Sequence, residues 1–426
     1  MTIVMIGLLL IFLALFGAPL FVILGTIALL SFHSLEIDTA AVIVELYRIA
    51  NAPTLLAIPL FTFAGYLMAE SKTPRRLVNL TNALFGWMPG GLAIVSLMTC
   101  AFFTAFTGAS GVTIVALGGL LYPVLRKEGY PEKFSLGLLT SSGSLGLLFP
   151  PSLPIILYGF VANISIDKLF LAGIVPGTLL VVLLSLYSVR KGVSAGIPRT
   201  TFNWRNAIRA LRETAWELPL PFIIIGGIYT GAFTATEAAA VTAFYVLIIE
   251  VFVYRDLKLF SDVPKIMRES MLLVGGILVI LGTAMGLTNY LIDEQIPMRI
   301  LNAMQGVVSS KVLFLIMLNI FLLIVGCLMD IFSAIIVVVP LIVPIATQFG
   351  IDPIHLGIIF LTNLEIGYST PPVGLNLFIS SFRFEKPVVK LYTAALPFLA
   401  ILIIALLVIT YVPELSLWLV NLVGGQ

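Results

Sequence analysis

Charged side chains are scarce in this chain, at 10% of 426 residues, where a soluble domain carries about 25%. That scarcity excludes a soluble body, which needs polar cover. Histidine is almost absent. His33 and His355 stand alone near the ends of apolar runs and are expected to be structural or interfacial. Cysteine is limited to Cys100 and Cys327, which lack metal or redox spacing and are expected as buried thiols. HExxH, Walker A and dinucleotide motifs are missing, so neither ATP nor a cofactor is expected to drive this chain. The short alternating segments of a membrane β-barrel are missing too. The net charge of +2 is uninformative as a sum, and no nucleic-acid partner is expected.

What is present is hydrocarbon. Hydrophobic residues make up 60% of the chain, and mean hydropathy is +1.13. The apolar runs are continuous and close to the roughly 20 residues of a membrane-crossing helix. Only helices and closed barrels satisfy the backbone in lipid, so the spacing predicts an all-α polytopic protein in a lipid bilayer. Spans are expected at 3–31, 53–70, 169–189, 214–231, 236–253, 270–291 and 391–411. The run from Ile3 to Leu30 is too long for a signal peptide. The segments 72–76, 126–133, 190–212, 255–268 and 383–390 hold most of the 23 Lys and Arg residues. By the positive-inside rule these face the cytoplasm, which puts the N-terminus inside and the C-terminus outside. Within 202–217, Trp204, Ile208, Leu211 and Ala215 alternate with Arg205, Arg209 and Arg212, the pattern of an amphipathic helix on the cytoplasmic interface.

Two stretches interrupt the hydrocarbon pattern at matched positions, TSSGSLGLLFPPSLP at 140–154 and LTNLEIGYSTPPVGL at 361–375. Pro150-Pro151 precedes Pro371-Pro372 by 221 residues, and Gly65/Gly286, Pro123/Pro344, Gly129/Gly350 and Gly146/Gly367 share that offset. With the charge map, matched segments run in opposite directions. The chain therefore reads as an inverted repeat of about 10–12 helices, divided 1–212 and 213–426, a recurrent build of secondary transporters. The span 214–231 has no counterpart in the first half, and a separate polypeptide is a candidate for that place.

Each half carries a broken helix, 134–163 and 356–381. Proline removes a donor and expels its predecessor from helical geometry, so Phe149-Pro150-Pro151 and Thr370-Pro371-Pro372 should unwind. Freed carbonyls with Ser141, Ser142, Ser144, Ser152, Thr362, Asn363, Ser369 and Thr370 around them form a hard oxygen cage suited to sodium. The alternative is a proline kink with its hydroxyls bonded locally. Each half also carries paired short runs, 91–125 and 312–346. Gly91 to Leu125 is 35 residues, short of about 40 for two crossings. Re-entrant hairpins fit, with tips at TGASG (Thr107 to Gly111) and GCLMDIFS (Gly326 to Ser333). Closely packed full helices are the alternative. Asp330 and Glu365 are intramembrane acids, expected to pair or to work, while Asp330 beside Ile331 also suits a helix cap. Glu237 in TATEAAA reads as interfacial.

GASG also matches the GxSG of rhomboid-type intramembrane serine proteases, but Ser110 has no mid-span histidine to activate it, so an enzyme is not expected. FTAFTGASGVTIVALGGLLYPVLRKEGYP, SSGSLGLLFPPSLPIILYG, GCLMDIFSAIIVVVPLIVPIA and TNLEIGYSTPPVGLNLFI together resemble the large membrane (M) subunit of tripartite ATP-independent periplasmic (TRAP) transporters, over nearly the whole chain. The resemblance implies a sodium-coupled elevator of the ion-transporter type in the bacterial inner membrane. It implies two partners, a small membrane (Q) subunit extending the scaffold and a periplasmic binding (P) protein. That protein would deliver a small organic anion such as a C4-dicarboxylate or sialic acid. Because the sequence begins at its first span, the small subunit is expected as a separate chain. Carried onto this sequence, the resemblance implies sodium at Gly108, Ser110, Ser141, Ser144, Gly146 and Pro150, and at Met329, Asp330, Thr362, Glu365, Gly367 and Thr370. It implies substrate near Thr107, Ser110, Asp330 and Ser333. A stand-alone sodium/anion symporter of the same superfamily is the alternative.

Overall fold

The structure, a computed structural model, describes residues 12–13, 18–34, 36–197, 201–305 and 310–424. Much of the expected first span at 3–31, Arg199 and both termini lie outside the described residues. All regular structure among the described residues is helical.

Among the described residues, after the helical pair Phe12 and Leu13, come α1 (Leu20–Ser34) and α2 (Ala40–Ala50). A 3-10 turn at Pro53–Leu56 enters α3 (Ala57–Glu70), and α4 (Thr73–Phe85) leads into a hairpin of α5 (Gly91–Thr107) and α6 (Ser110–Lys127). The first broken helix is α7 (Glu132–Ser142), a 3-10 turn at Leu145–Leu148, and α8 (Leu153–Ala162). Then follow α9 (Ile166–Ser194), α10 (Trp204–Glu213), α11 (Pro219–Tyr229) and α12 (Ala235–Ile248). A π turn at Ile249–Val253 continues α12, and α13 (Asp262–Asp293) and α14 (Ile296–Gln305) come next. The second hairpin is α15 (Lys311–Leu328) and α16 (Ile331–Gln348). The second broken helix is α17 (Pro353–Gly367) and α18 (Leu375–Phe384). α19 (Val388–Tyr411) and α20 (Glu414–Gly424) close the chain.

Among the described residues, seven helices are long and apolar enough to cross a membrane, or eight if the α7–α8 pair, bent by 46°, counts as one span. The arms α5 and α6 have 17 and 18 residues. At 1.5 Å per residue each reaches about 26 Å, less than the roughly 30 Å of hydrocarbon, which fits a hairpin that enters and turns back; α15 and α16, at 18 residues each, are as short as α6 although both count among the seven. The arms extend slightly past the expected bounds of 91–125 and 312–346. The segment 190–213 divides, because Arg190 and Lys191 continue α9 while the amphipathic helix is α10 alone. In α10 Ala207 and Ala210 are buried and Trp204 is 66% exposed.

The two halves repeat element by element. α6 and α16 are both 18 residues, with starts 221 positions apart, and α5 and α15 end 221 apart. Both Pro-Pro pairs carry a cis peptide bond. The position matching α11 falls at or before the first few residues, outside those described. Packing crosses between halves. The second arm α6 lies against α18, the second arm α16 lies against α8, and α7 lies against α19. α3, with α12 and α13, forms a wall on which α1 and α2 rest through α13, and α3 also packs against α5 and α8.

Glycine permits the closest approaches. A Cβ on Gly367 would stand 2.5 Å from the Gly326 carbonyl carbon, and one on Gly146 would stand 2.2 Å from the Ala101 carbonyl oxygen. Both neighbours are backbone, so neither yields cheaply. Each broken helix is therefore seated on the first arm of its own hairpin by a glycine contact. Gly367→Ala is expected to destabilise the purified protein by roughly 1–3 kcal/mol, read as a lower thermal unfolding midpoint. An unchanged midpoint would show that this seat is not needed.

Candidate functional site: two tips and two breaks

The first tip is tight and buried. Thr107 ends α5, Gly108 turns at φ +63°, and Ser110 opens α6. A Cβ on Gly108 would meet the Leu153 side chain at 2.5 Å, so this tip presses against the start of α8. Thr107, Ser110 and Gly108 are buried. No side chain caps α6, so the positive end of its helix dipole is unopposed there.

The second tip is finished differently. Met329 and Asp330 are extended. Asp330 Oδ1 accepts from the amides of Phe332 and Ser333, both at 3.0 Å. The Tyr368 hydroxyl accepts from the Ile331 amide at 2.6 Å. Three amides of α16 that lack helical partners are thus satisfied by side chains of this half. The first half has Ala109 and Leu147 at the matching positions and cannot do the same. Asp330 is therefore a helix cap, and it is also exposed. Ser333 is buried, Met329 is half-buried, and Thr370 is half-buried beside the exposed Pro372.

The breaks meet each other. Ser144 Oγ donates to the Glu365 carbonyl at 3.3 Å. These residues are 221 apart, the repeat offset, so their bond marks the pseudo-twofold axis of the two halves. Asn376 Nδ2 donates to the Thr140 carbonyl at 3.4 Å and to Ser144 Oγ at 3.5 Å, and Thr140 Oγ1 donates to Ser380 Oγ at 2.9 Å. Thr104 Oγ1 donates to the Gly143 carbonyl at 2.8 Å, tying the first break to α5. Some expected ligands bond locally, as the kink reading anticipates. Thr362 Oγ1 donates to Ile358 O at 2.7 Å and Thr370 Oγ1 to Ile366 O at 2.9 Å.

A buried polar atom without a partner is rare in folded proteins. Among the described residues, ten buried side-chain atoms lack a hydrogen-bond partner within the protein. Eight belong to this region: Thr107 Oγ1, Ser141 Oγ, Ser152 Oγ, Asn363 Oδ1, both Glu365 carboxyl oxygens, Ser369 Oγ and Asn376 Oδ1. All eight are oxygens, and no ion pair reaches Glu365 among the described residues. Buried hard oxygens left without partners, a carboxyl group with no ion pair among them, are donors of the kind that hold a small cation. Gly146 and Pro150 are buried as well.

Asn376 and Tyr368 escaped the sequence reading, though both lie within the stretch around the second Pro-Pro pair. Asn319 escaped as well. It is a lone amide in the apolar run of α15, where a polar group seeks another. It accepts from Asn363 Nδ2 at 2.7 Å and donates to Thr410 Oγ1 at 3.2 Å. His355 is structural as expected, bonded to Ser416 Oγ at 3.1 Å and to the Thr410 carbonyl at 3.2 Å. Glu237 closes a capping box with Thr234. Cys100 and Cys327 are buried free thiols. An open cavity of about 1020 Å³ lies elsewhere, between α2, the α8–α9 turn, α12, α13 and α16. Arg48, Asn163, Asp167, Glu237 and Asn289 are in its wall, and no expected site residue lines it.

The family model for the tripartite ATP-independent periplasmic transporter, DctM component, matches residues 4–415. The C4-dicarboxylate TRAP transporter large permease protein DctM of Pseudomonas aeruginosa is 40% identical over 403 residues, covering 94% of this chain and 93% of that protein. The ectoine/5-hydroxyectoine TRAP transporter large permease protein UehC of Ruegeria pomeroyi is 33% identical over 418 residues, covering 96% of each. The isethionate TRAP transporter permease protein DctMQ of Oleidesulfovibrio alaskensis is 38% identical over 408 residues, covering 94% of this chain and 64% of that longer protein. In fold, the chain is similar to the crystal structure of the Alcanivorax borkumensis YdaH transporter, with a TM-score of 0.62 at 14% identity over 90% of this chain and 88% of that one.

The Tyr368 contact generates a direct test. Tyr368→Phe strands the Ile331 amide and is expected to cost about 1–3 kcal/mol in thermal unfolding of the purified protein. Wild-type stability in that variant would mean the amide finds another acceptor.

Proposed function

Since this chain belongs to the TRAP transporter DctM family of large permeases, we propose that it imports a small organic anion across the bacterial inner membrane, driven by sodium. The observation that carries the sodium reading is that Ser141 Oγ and both Glu365 carboxyl oxygens, three of the eight unpartnered buried oxygens, belong to the expected ion sites. In this reading one ion sits among Gly108, Ser110, Ser141, Ser144, Gly146 and Pro150. The other sits among Met329, Asp330, Thr362, Glu365, Gly367 and Thr370. Backbone carbonyls freed by the breaks supply the remaining ligands. Neutralising Glu365 by a cation offsets the several kcal/mol of holding a carboxylate in hydrocarbon.

The substrate lies between the tips, near Thr107, Ser110, Asp330 and Ser333. Its negative group faces the uncapped N-terminus of α6, where amides and dipole favour an anion. A C4-dicarboxylate is the first choice, because the Pseudomonas aeruginosa relative bears that name; isethionate is a second organic anion among the relatives. The hairpins and broken helices move as one body against the wall of α3, α12 and α13. The basic loops face the cytoplasm. A small membrane subunit and a periplasmic binding protein complete the system, consistent with the tripartite family name and with the DctMQ relative.

The test is uptake of labelled C4-dicarboxylate into proteoliposomes holding this chain, its small subunit and the binding protein, with and without an inward sodium gradient. Uptake is expected only with sodium and with the binding protein. Uptake by this chain alone would favour a stand-alone symporter. Asp330→Ala is expected to abolish sodium-driven uptake while the protein still inserts. Because Asp330 Oδ1 caps α16, Asp330→Asn keeps the cap and separates charge from folding. Wild-type uptake in both variants would defeat the assignment. Ser141→Ala is expected to raise the sodium concentration for half-maximal uptake by about tenfold, the worth of one ligand interaction near 1.4 kcal/mol, without loss of thermal stability.

A further inference from the structure

Away from the breaks, five charged side chains converge on the first turn of α4. Arg76 Nε donates to Glu217 Oε1 at 2.6 Å. Arg76 Nη2 reaches Glu250 Oε2 at 3.1 Å, and Nη1 bonds Asp256 Oδ2. Lys72 Nζ stands 3.1 Å from Asp256 Oδ1. The Tyr254 ring lies against the guanidinium at 3.8 Å. Three carboxyl groups therefore face two cations. The Glu217 and Glu250 side chains are 1% exposed, and an uncompensated charge in such a place is strongly unfavourable.

Hydrogen-bond counting finds the same excess. Thr73 Oγ1 lies 2.7 Å from Glu217 Oε1 and 2.8 Å from Glu250 Oε1. A hydroxyl has one proton and donates one bond. If both glutamates were ionised, one of these contacts would set bare oxygens against each other. A carboxyl proton directed at Thr73 removes the conflict, since the single Thr73 proton then serves the other glutamate; Ser71 Oγ at 2.9 Å and Arg76 Nη2 at 3.1 Å also donate to Thr73 Oγ1. Independently, Glu217 Oε2 is buried with no hydrogen-bond partner within the protein, which an ionised oxygen tolerates poorly.

We propose that the Glu217–Glu250 pair is a proton-binding site, holding one proton through Thr73, and that this proton fastens the start of α4 to the α11–α12 hairpin. The site is independent of the sodium and substrate assignments. α4 joins α3 of the wall to α5 of the first hairpin, so whatever holds its first turn sets how that hairpin is carried.

The surrounding groups leave the proton nowhere else. Asp256 is opposed by burial, but the hydrogen bonds from Arg76 and Lys72 prevail and hold it below the usual carboxylate range. The Tyr254 hydroxyl donates to Glu213 O at 2.7 Å, and the Tyr245 hydroxyl on α12 donates to Trp216 O at 2.8 Å. Arg75 on α4, Arg205, Arg209 and Arg212 on α10, and Arg255 beside the cluster are exposed. The sign follows from linkage. The docked arrangement binds one more proton than an undocked one with solvated glutamates, so raising pH favours release of α4.

The experiment uses the reconstituted complex. Infrared difference spectra between neutral and alkaline pH are expected to show loss of one protonated-carboxyl band. That band should be missing in Glu217→Gln or Glu250→Gln and retained in Asp256→Asn. Glu250→Gln, which mimics the protonated form, is expected to flatten the alkaline change in uptake when only the pH on the α4 face is varied. Thr73→Val is expected to weaken proton binding about tenfold, the loss of one hydrogen bond, and Thr73→Ser to restore it. Should a Gln variant not fold, the Thr73 pair carries the test alone. A band that persists in both Gln variants, or that is unmoved by Thr73→Val, would overturn the proposal.

Discussion

Every backbone amide and carbonyl inside hydrocarbon needs a partner, and this chain breaks its helices where water does not readily supply one. The rest of the structure follows from how those breaks are covered. Each broken helix is pressed by a glycine onto the first arm of its own hairpin, Gly146 over Ala101 and Gly367 over Gly326. At the axis the Ser144 hydroxyl takes the Glu365 carbonyl. After these pairings the buried oxygens without partners concentrate in one region. Covering the breaks and leaving these oxygens unpaired are thus the same act.

The halves share a frame and differ in chemistry. At matched positions the first half has Ala109, Ser144, Leu147 and Ile155, where the second has Asp330, Glu365, Tyr368 and Asn376. Asp330 and Tyr368 occupy the amides that open α16, while α6 opens without a side-chain cap. One hairpin therefore closes its own helix end and the other presents it. Equal folds therefore end in unequal helix starts.

Much of this was legible in residues. Pro-Pro pairs at one offset, with glycines at the same offset, located both breaks and the repeat, because proline and glycine act through backbone geometry that no tertiary context removes. The short runs around TGASG and MD located the tips. Side-chain roles were less legible. Asp330 was equally a cap and a ligand on paper, since a carboxylate beside a helix start serves either. Thr362 and Thr370 bond back to their own helix, a choice fixed by rotamer and neighbour. Asn319 and Asn376 escaped because their partners, Asn363 and Thr140, are far away in sequence and meet only through packing. The Arg76 cluster escaped for the same reason, with its carboxylates 141 to 180 residues from the arginine.

The crossed packing of α6 on α18 and of α16 on α8 bears on how the protein is made. The first hairpin and first broken helix leave the ribosome long before the elements that cover them. Until α16 to α19 have been synthesised, α6, α7 and α8 have no permanent neighbours on those faces, and Ser144 has no Glu365. The nascent first half is therefore unfinished until the second half arrives. Maturation becomes a late, concerted closure of both halves, so a truncated chain fails as a whole rather than yielding a working half.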